Sequence, residues 1–169
     1  MKQCNLWLTV GTPGCGKSTF LKNQIKRNAG IRISRDDIRF NLVDENENYF
    51  AHETEVYNLF IQKIKDALKT YTNVYVDATH LNWASRRKLL SHLGLLQTNP
   101  EDRDIGINVF YFNVPLDVCL ERNKMREGRC VVPDTAVKRM HNSKTYPLTD
   151  PYVYDTIIEI DENQNWYIS

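Results

Sequence analysis

The sequence predicts a single α/β domain in which a parallel-stranded sheet lies between two layers of helices. Three observations carry this. Short apolar runs alternate along the chain with segments whose apolar residues recur at helical spacing, the pattern of a parallel sheet joined by crossover helices. The first apolar run, Leu6–Val10, opens directly into a glycine-rich octapeptide that is itself followed by a helical stretch. The chain has 169 residues, 41% hydrophobic and 25% charged, which suits one globular domain with its own core. Residues 1–169 carry no internal repeat, no low-complexity tract and no second glycine-rich loop.

Taken in order, a helix is expected from Ser18 to about Asn28, then a second strand at Ile31–Ser34. Asp44–Tyr49 reads as a mobile polar connection. From His52 to Leu68, Val56, Leu59, Phe60, Ile64 and Leu68 recur at helical spacing and predict a long amphipathic helix. Asn73–Asp77 is a third strand, after which Asn82 caps a helix running to about Leu96 with Arg86 and Arg87 in its second turn. Gln97–Asp104 is a polar loop broken by Pro100. Ile107–Asn113, apolar nearly throughout, is a buried parallel strand. Pro115 opens a helix with Leu116, Cys119 and Leu120 turned inward, stopped near Gly128. Pro133 starts another, with Ala136, Val137 and Met140 on one face. Thr156–Ile160 is a fifth strand, and Asn163–Ser169 offers one more edge pairing.

Residues 11–18, Gly-Thr-Pro-Gly-Cys-Gly-Lys-Ser, match G-x-x-x-x-G-K-[ST] at every specified position, in the strand–loop–helix context the motif requires. Its glycines let successive backbone N–H groups point into one concavity, an anion-binding nest closed by a helix N-terminus. Gly11, Thr12, Pro13, Gly14, Cys15, Gly16, Lys17, Ser18 and Thr19 are therefore the expected ATP-binding residues. Lys17 would reach the β- and γ-phosphates, and the Ser18 hydroxyl would face Mg²⁺.

A phosphate-gripping loop does not separate a kinase from a hydrolase, so the discriminating groups are an acid and further cations. Asp36 follows the second strand, on the rim where an open α/β sheet gathers its chemistry, and can accept a hydroxyl proton. Asp36 and Asp37 equally suit the start of a helix at Ile38. Arg122, Lys124, Arg126 and Arg129 form a basic cluster around Gly128. Arg122 and Arg126 stand four apart and on a helix would clamp adjacent phosphate oxygens; the bland alternative is a solvated helix face. Asp77, closing an apolar strand, would hold Mg²⁺ through water or simply cap the strand end. His80, with no metal-ligand spacing to the other three histidines, reads as a hydrogen-bonding or surface residue.

Four segments together resemble the 5′-polynucleotide kinase domain of bacteriophage and bacterial end-repair enzymes: Gly-Thr-Pro-Gly-Cys-Gly-Lys-Ser-Thr at 11–19, Arg-Asp-Asp-Ile-Arg at 35–39, Asp-Ala-Thr-His-Leu-Asn at 77–82 with Arg86-Arg87, and Arg-Asn-Lys-Met-Arg at 122–126 before Val132-Pro133. The resemblance covers most of residues 5–145. It implies a P-loop kinase-like three-layer sandwich over residues 1–169, with an arginine-bearing lid at about 122–133. By it Asp36 is the general base, Arg39 contacts the substrate's phosphate, Arg122 and Arg126 grip ATP, and Asp77 and Thr79 face substrate. In the phage relative an acid-threonine-asparagine run stands where this chain has Asp77-Ala78-Thr79-His80, so the acid is displaced by one position.

The expected activity is ATP- and Mg²⁺-dependent transfer of a γ-phosphoryl group to the 5′-OH of a DNA or RNA strand. Arg32, Arg35, Arg39, Lys138, Arg139 and Lys144 would supply a phosphate track in a chain whose net charge is only +1. Kinases of hydroxymethylated DNA bases or of small hydroxylated molecules, and a nucleotide-binding switch or ATPase, are the rivals. Cys4, Cys15, Cys119 and Cys130 show no metal or disulfide spacing and read as reduced thiols. Met1–Asn5 is too short and polar for a signal peptide, and no apolar run approaches spanning length, so a cytosolic protein with no membrane partner is expected.

Overall fold

The structure, a computed structural model, describes residues 2–96 and 99–169. Six strands form one sheet in the order β2-β3-β1-β4-β5-β6. They are β1 (Cys4–Val10), β2 (Ile31–Ser34), β3 (Asn73–Asp77), β4 (Ile105–Phe112), β5 (Thr156–Ile160) and β6 (Trp166–Ile168). All neighbours run parallel except β6, which returns antiparallel along β5 and supplies the expected edge pairing. The helices are α1 (Lys17–Arg27), α2 (Arg35–Leu42), α3 (Glu53–Leu68), α4 (Trp83–Leu93), α5 (Leu116–Lys124) and α6 (Asp134–Asn142).

Side-chain alternation along the strands builds two cores, one on each face of the sheet. Leu6, Leu8 and Val10 of β1 point with Val74, Val76, Ile107 and Val109 into the core covered by α2, α3 and α4. The opposite face carries Tyr75, Phe110, Phe112 and Ile160 beneath α1, α5 and α6. Each fully buried aliphatic side chain contributes about 1.5–3 kcal/mol to this packing. In α3 the buried stripe is Val56, Phe60, Ile61, Ile64 and Ala67; Leu59, expected inward, sits at its margin and is 37% exposed.

Boundaries moved where a local signal was stronger than periodicity. α4 ends at Leu93, not Leu96, because Gly94 adopts the left-handed cap at φ 75. α2 begins at Arg35, not Ile38, because the Ser34 hydroxyl accepts the Asp37 N–H at 3.2 Å and is the N-cap. α5 stops at Lys124, and Gly128 opens a separate 3-10 turn over Gly128–Cys130. The first two residues of the expected 97–104 loop lie outside the described residues. Among the described residues no helix is long and apolar enough to cross a membrane.

The topology places the site. The chain leaves β1 towards α1 on one face and leaves β3 towards α4 on the other, so the exits of two adjacent strands diverge. Such a divergence opens a crevice at the carboxyl ends of the strands. The two walls are tied by the Gly11 N–H, which donates to the Thr79 carbonyl at 3.1 Å.

Candidate active site

The loop after β1 is curled as its glycines dictate. Gly14 and Gly16 have φ 87 and 100, left-handed values that L side chains rarely adopt. A Cβ on Gly14 would also stand 2.3 Å from the Cys119 carbonyl oxygen. Gly16 is the N-cap of α1, so the free N–H groups of the helix's first turn border the curl. Lys17 is buried, its ammonium donating to the Gly11 and Thr12 carbonyls at 2.9 and 3.0 Å. The Thr12 hydroxyl lies 3.0 Å from His141 Nδ1, which brings the end of α6 against the loop, and Thr19 is exposed in the first turn of α1.

Ser18 and Asp77 meet. The Ser18 hydroxyl donates to Asp77 Oδ2 at 2.8 Å across the β1–β3 exit. Hydroxyl and carboxylate are hard oxygen donors and fit Mg²⁺. Among the described residues no group of three or more His, Cys, Asp or Glu could hold a metal ion. A Mg²⁺ here would therefore draw its other ligands from water and nucleotide phosphates, its usual mode beside substrate.

Asp36 lies in the first turn of α2, with its side chain 67% exposed. It accepts from Arg39 Nη1 and, at 3.1 Å, from the Tyr49 hydroxyl. Arg39 is buried and fully engaged. Its Nε and Nη2 donate to the Glu53 carboxylate at 3.0–3.1 Å, and its Nη1 also reaches Tyr49 Oη at 3.1 Å. Its guanidinium lies 4.7 Å from the Tyr49 ring centroid. Burial works against the Arg39 charge, but the Glu53 and Tyr49 bonds outweigh it and raise its pKa. Burial likewise pushes Glu53 up, and Arg39 and Arg35 overcome it to hold that carboxyl below its ordinary value.

The three arginines expected to form a phosphate track from this region are thus each matched to carboxylates. Arg32 pairs with Asp77 and Asp37, Arg35 with Glu53, and Arg39 with Glu53 and Asp36. For Arg39 to contact a substrate phosphate, one of these partners has to be exchanged. Lys138 and Arg139 are exposed on α6.

Arg122 and Arg126 do not share a helix face as expected, because α5 ends between them. Arg122, still helical, donates to the Glu162 carbonyl at 2.7 Å and to the Cys15 carbonyl of the loop at 3.5 Å. Arg126 lies beyond the helix end, exposed, its Nη1 reaching the Cys130 carbonyl at 3.4 Å. Arg129 instead crosses to α2, donating to the Val43 and Asp44 carbonyls at 3.1 Å each and capping the end of that helix. The segment expected to be a lid, residues 122–133, therefore touches the loop through Arg122 and α2 through Arg129.

Several further residues around the crevice make contacts between distant segments: His80 hydrogen-bonds as expected, and Lys144, expected in the phosphate track, is turned to a backbone carbonyl. Arg86 has no exposed side-chain area; it forks onto Asp150 with two 2.6 Å bonds and donates to the His80 carbonyl at 2.9 Å. His80, buried at φ 39, places Nδ1 3.2 Å from the Thr9 carbonyl. Burial lowers its pKa to about 4 against that bond, helped by Arg35, Arg86 and Lys17, so the ring is neutral with its proton on Nδ1. Lys144 donates to the Phe112 carbonyl at 2.9 Å, with its pKa lowered by burial. Buried Asn123 ties the two ends of the 122–133 segment together, donating to the Val132 carbonyl at 2.6 Å and accepting the Val132 N–H at 3.1 Å. Pairs such as Arg86–Asp150, 64 residues apart, carry no periodic signature.

Residues 6–147 match a family described as AAA domain. A gluconokinase from Sinorhizobium meliloti 1021 superposes with a TM-score of 0.61 at 17% identity, over 98% of this chain and 86% of that one. A chain of the Pnkp1/Rnl/Hen1 RNA repair complex superposes with a TM-score of 0.67 at 24% identity, over 85% of this chain but only 44% of the longer one. A sugar kinase from Janibacter sp. HTCC2649 gives a TM-score of 0.59 at 15% identity, over 98% and 88% of the two chains. The shared fold is that of P-loop kinases.

Proposed function

Because the chain belongs to the AAA domain family and has a P-loop kinase fold, we propose that it is an ATP- and Mg²⁺-dependent phosphotransferase acting on the 5′-hydroxyl of a DNA or RNA strand. The observation that carries this reading is Asp36, a carboxylate open to solvent at the end of β2 yet held from behind by Arg39 and Tyr49. An acceptor hydroxyl can approach that side without a side chain having to leave. Three bonds join this rim to the loop: Ser18 to Asp77, Asp77 to Arg32, and Arg32 to Asp37, the neighbour of Asp36.

In this mechanism the loop N–H groups and the α1 terminus bind the β- and γ-phosphates, while Lys17 exchanges its carbonyl partners for phosphate oxygens. Asp36 accepts the proton of the attacking hydroxyl as the new P–O bond forms and ADP leaves, a role worth about 10²–10⁴ in rate. Arg122, already against the loop at the Cys15 carbonyl, balances charge on the transferring group, with Arg126 the second cation of the same segment. Mg²⁺, held beside Ser18 and Asp77, would neutralise phosphate charge. The nucleic-acid acceptor is favoured by the Arg35-Asp36-Asp37-x-Arg39 run and by the likeness to the RNA repair chain. A small hydroxylated acceptor is the second reading, favoured by the near full-length match to the gluconokinase.

The test is transfer of labelled γ-phosphate to a panel of 5′-OH oligonucleotides, nucleosides, hydroxymethylated DNA and common sugars. Label on 5′-OH oligonucleotides is the expected result. Label on a sugar or nucleoside alone replaces the first reading by the second.

A further inference from the structure

Asp77 serves two partners of opposite consequence. Its Oδ2 accepts the Ser18 hydroxyl at 2.8 Å and also the Arg32 guanidinium, with Nε and Nη2 each at 2.7 Å. The placement follows from strand register. Arg32 lies opposite Tyr75 in the β2–β3 pairing, so Asp77, two residues on, is its diagonal neighbour on the same face. The far side of the guanidinium donates to Asp37 at 2.7 Å. Asp77 is 5% exposed and Arg32 17%, so water screens this contact weakly.

The oxygen that would face a divalent cation is therefore already paired with a cation. We propose that Arg32 is a positioning residue that holds Asp77 in check, so that divalent metal enters the Ser18–Asp77 site together with a nucleotide and not ahead of it. This rests on the reading of the loop as a Mg²⁺-nucleotide site. A bare dication approaching Asp77 meets the Arg32 charge beside the same carboxylate oxygen, whereas one arriving on a nucleotide brings phosphate charge that offsets the repulsion. Asp37 holds Arg32 from the solvent side and keeps the guanidinium aimed at β3.

The probe is Mn²⁺ without nucleotide, read as loss of the free-ion electron paramagnetic resonance signal on titration with protein. Arg32→Gln and Arg32→Met, both neutral, are expected to bind Mn²⁺ at least about tenfold more tightly than the wild type, because the cation beside the Asp77 oxygen is gone. Arg32→Lys, which keeps a cation, gains nothing, and Arg32→Gln/Asp77→Asn loses the gain. Circular dichroism identifies which neutral variant is folded, and either one decides. Mn²⁺ affinity unchanged or weakened in the folded neutral variant overturns the proposal, as does a gain that survives Asp77→Asn. The assay contains neither ATP nor acceptor, so a failure here is separate from a failure of the transfer panel.

Discussion

Replacing Asp150 by alanine strands the Arg86 guanidinium in the core, and the cost follows from the geometry. The two side chains are 0% and 1% exposed and share two 2.6 Å bonds, so no water stands ready to take the place of the carboxylate. Bonds from Arg86 to the His80 carbonyl and the Thr145 hydroxyl remain, but neither partner carries charge. Removing one partner of such a pair costs about 3–5 kcal/mol, a third or more of the total stability of many domains. At about 2–4 °C per kcal/mol for a chain of this length, the midpoint of melting falls by about 6–20 °C. Urea unfolding followed by circular dichroism measures it directly. The double variant Arg86→Met/Asp150→Leu, which removes both charges, recovers most of the loss. A loss below about 1 kcal/mol for Asp150→Ala, or a double variant no better than the single, refutes the reasoning.

Two further outcomes come from the loop and its support. Gly14→Ala combines a left-handed φ with a Cβ 2.3 Å from the Cys119 carbonyl, so the loop must shift; ATP affinity, measured by calorimetry, falls at least about tenfold while the circular dichroism spectrum is kept. For His80 the pKa is about 4 in the fold against about 6.5 unfolded, so between these values only the unfolded chain binds the proton. Stability therefore falls as pH drops from about 6.5 to 4, by about 3 kcal/mol in all, and urea unfolding of His80→Asn across that range lacks this component. Glu53, held below its ordinary value, stabilises the fold above its unfolded pKa, and that contribution is lost as pH falls through its lowered pKa, a loss that begins at the acid end of the histidine window.

Local grammar made the fold and the loop legible. The apolar β1 run, the glycine-rich loop and the Asn82 cap all act within a few residues, and each is where the pattern put it. The errors arose where two local signals competed. Ser34 won the α2 cap from Asp36 and Asp37, and the end of α5 at Lys124 separated Arg122 from Arg126. What the sequence could not expose was pairing between distant segments: Arg86 with Asp150, Arg129 with the end of α2, Arg32 with Asp77. The fate of a charged side chain depends on which carboxylate the topology brings to it. That is why three arginines legible as a phosphate track turned out to be neutralised.

In the proposed reaction Asp36 takes a proton from an acceptor hydroxyl beside a nucleotide held by the glycine loop. Single-turnover transfer of γ-phosphate to a 5′-OH oligonucleotide, with ATP affinity measured in parallel, tests it most directly when wild type and Asp36→Asn are compared. Transfer by Asp36→Asn is expected to be slower by about 10²-fold or more at unchanged ATP affinity. Equal transfer rates in the two proteins contradict it and take the proton-accepting role away from Asp36.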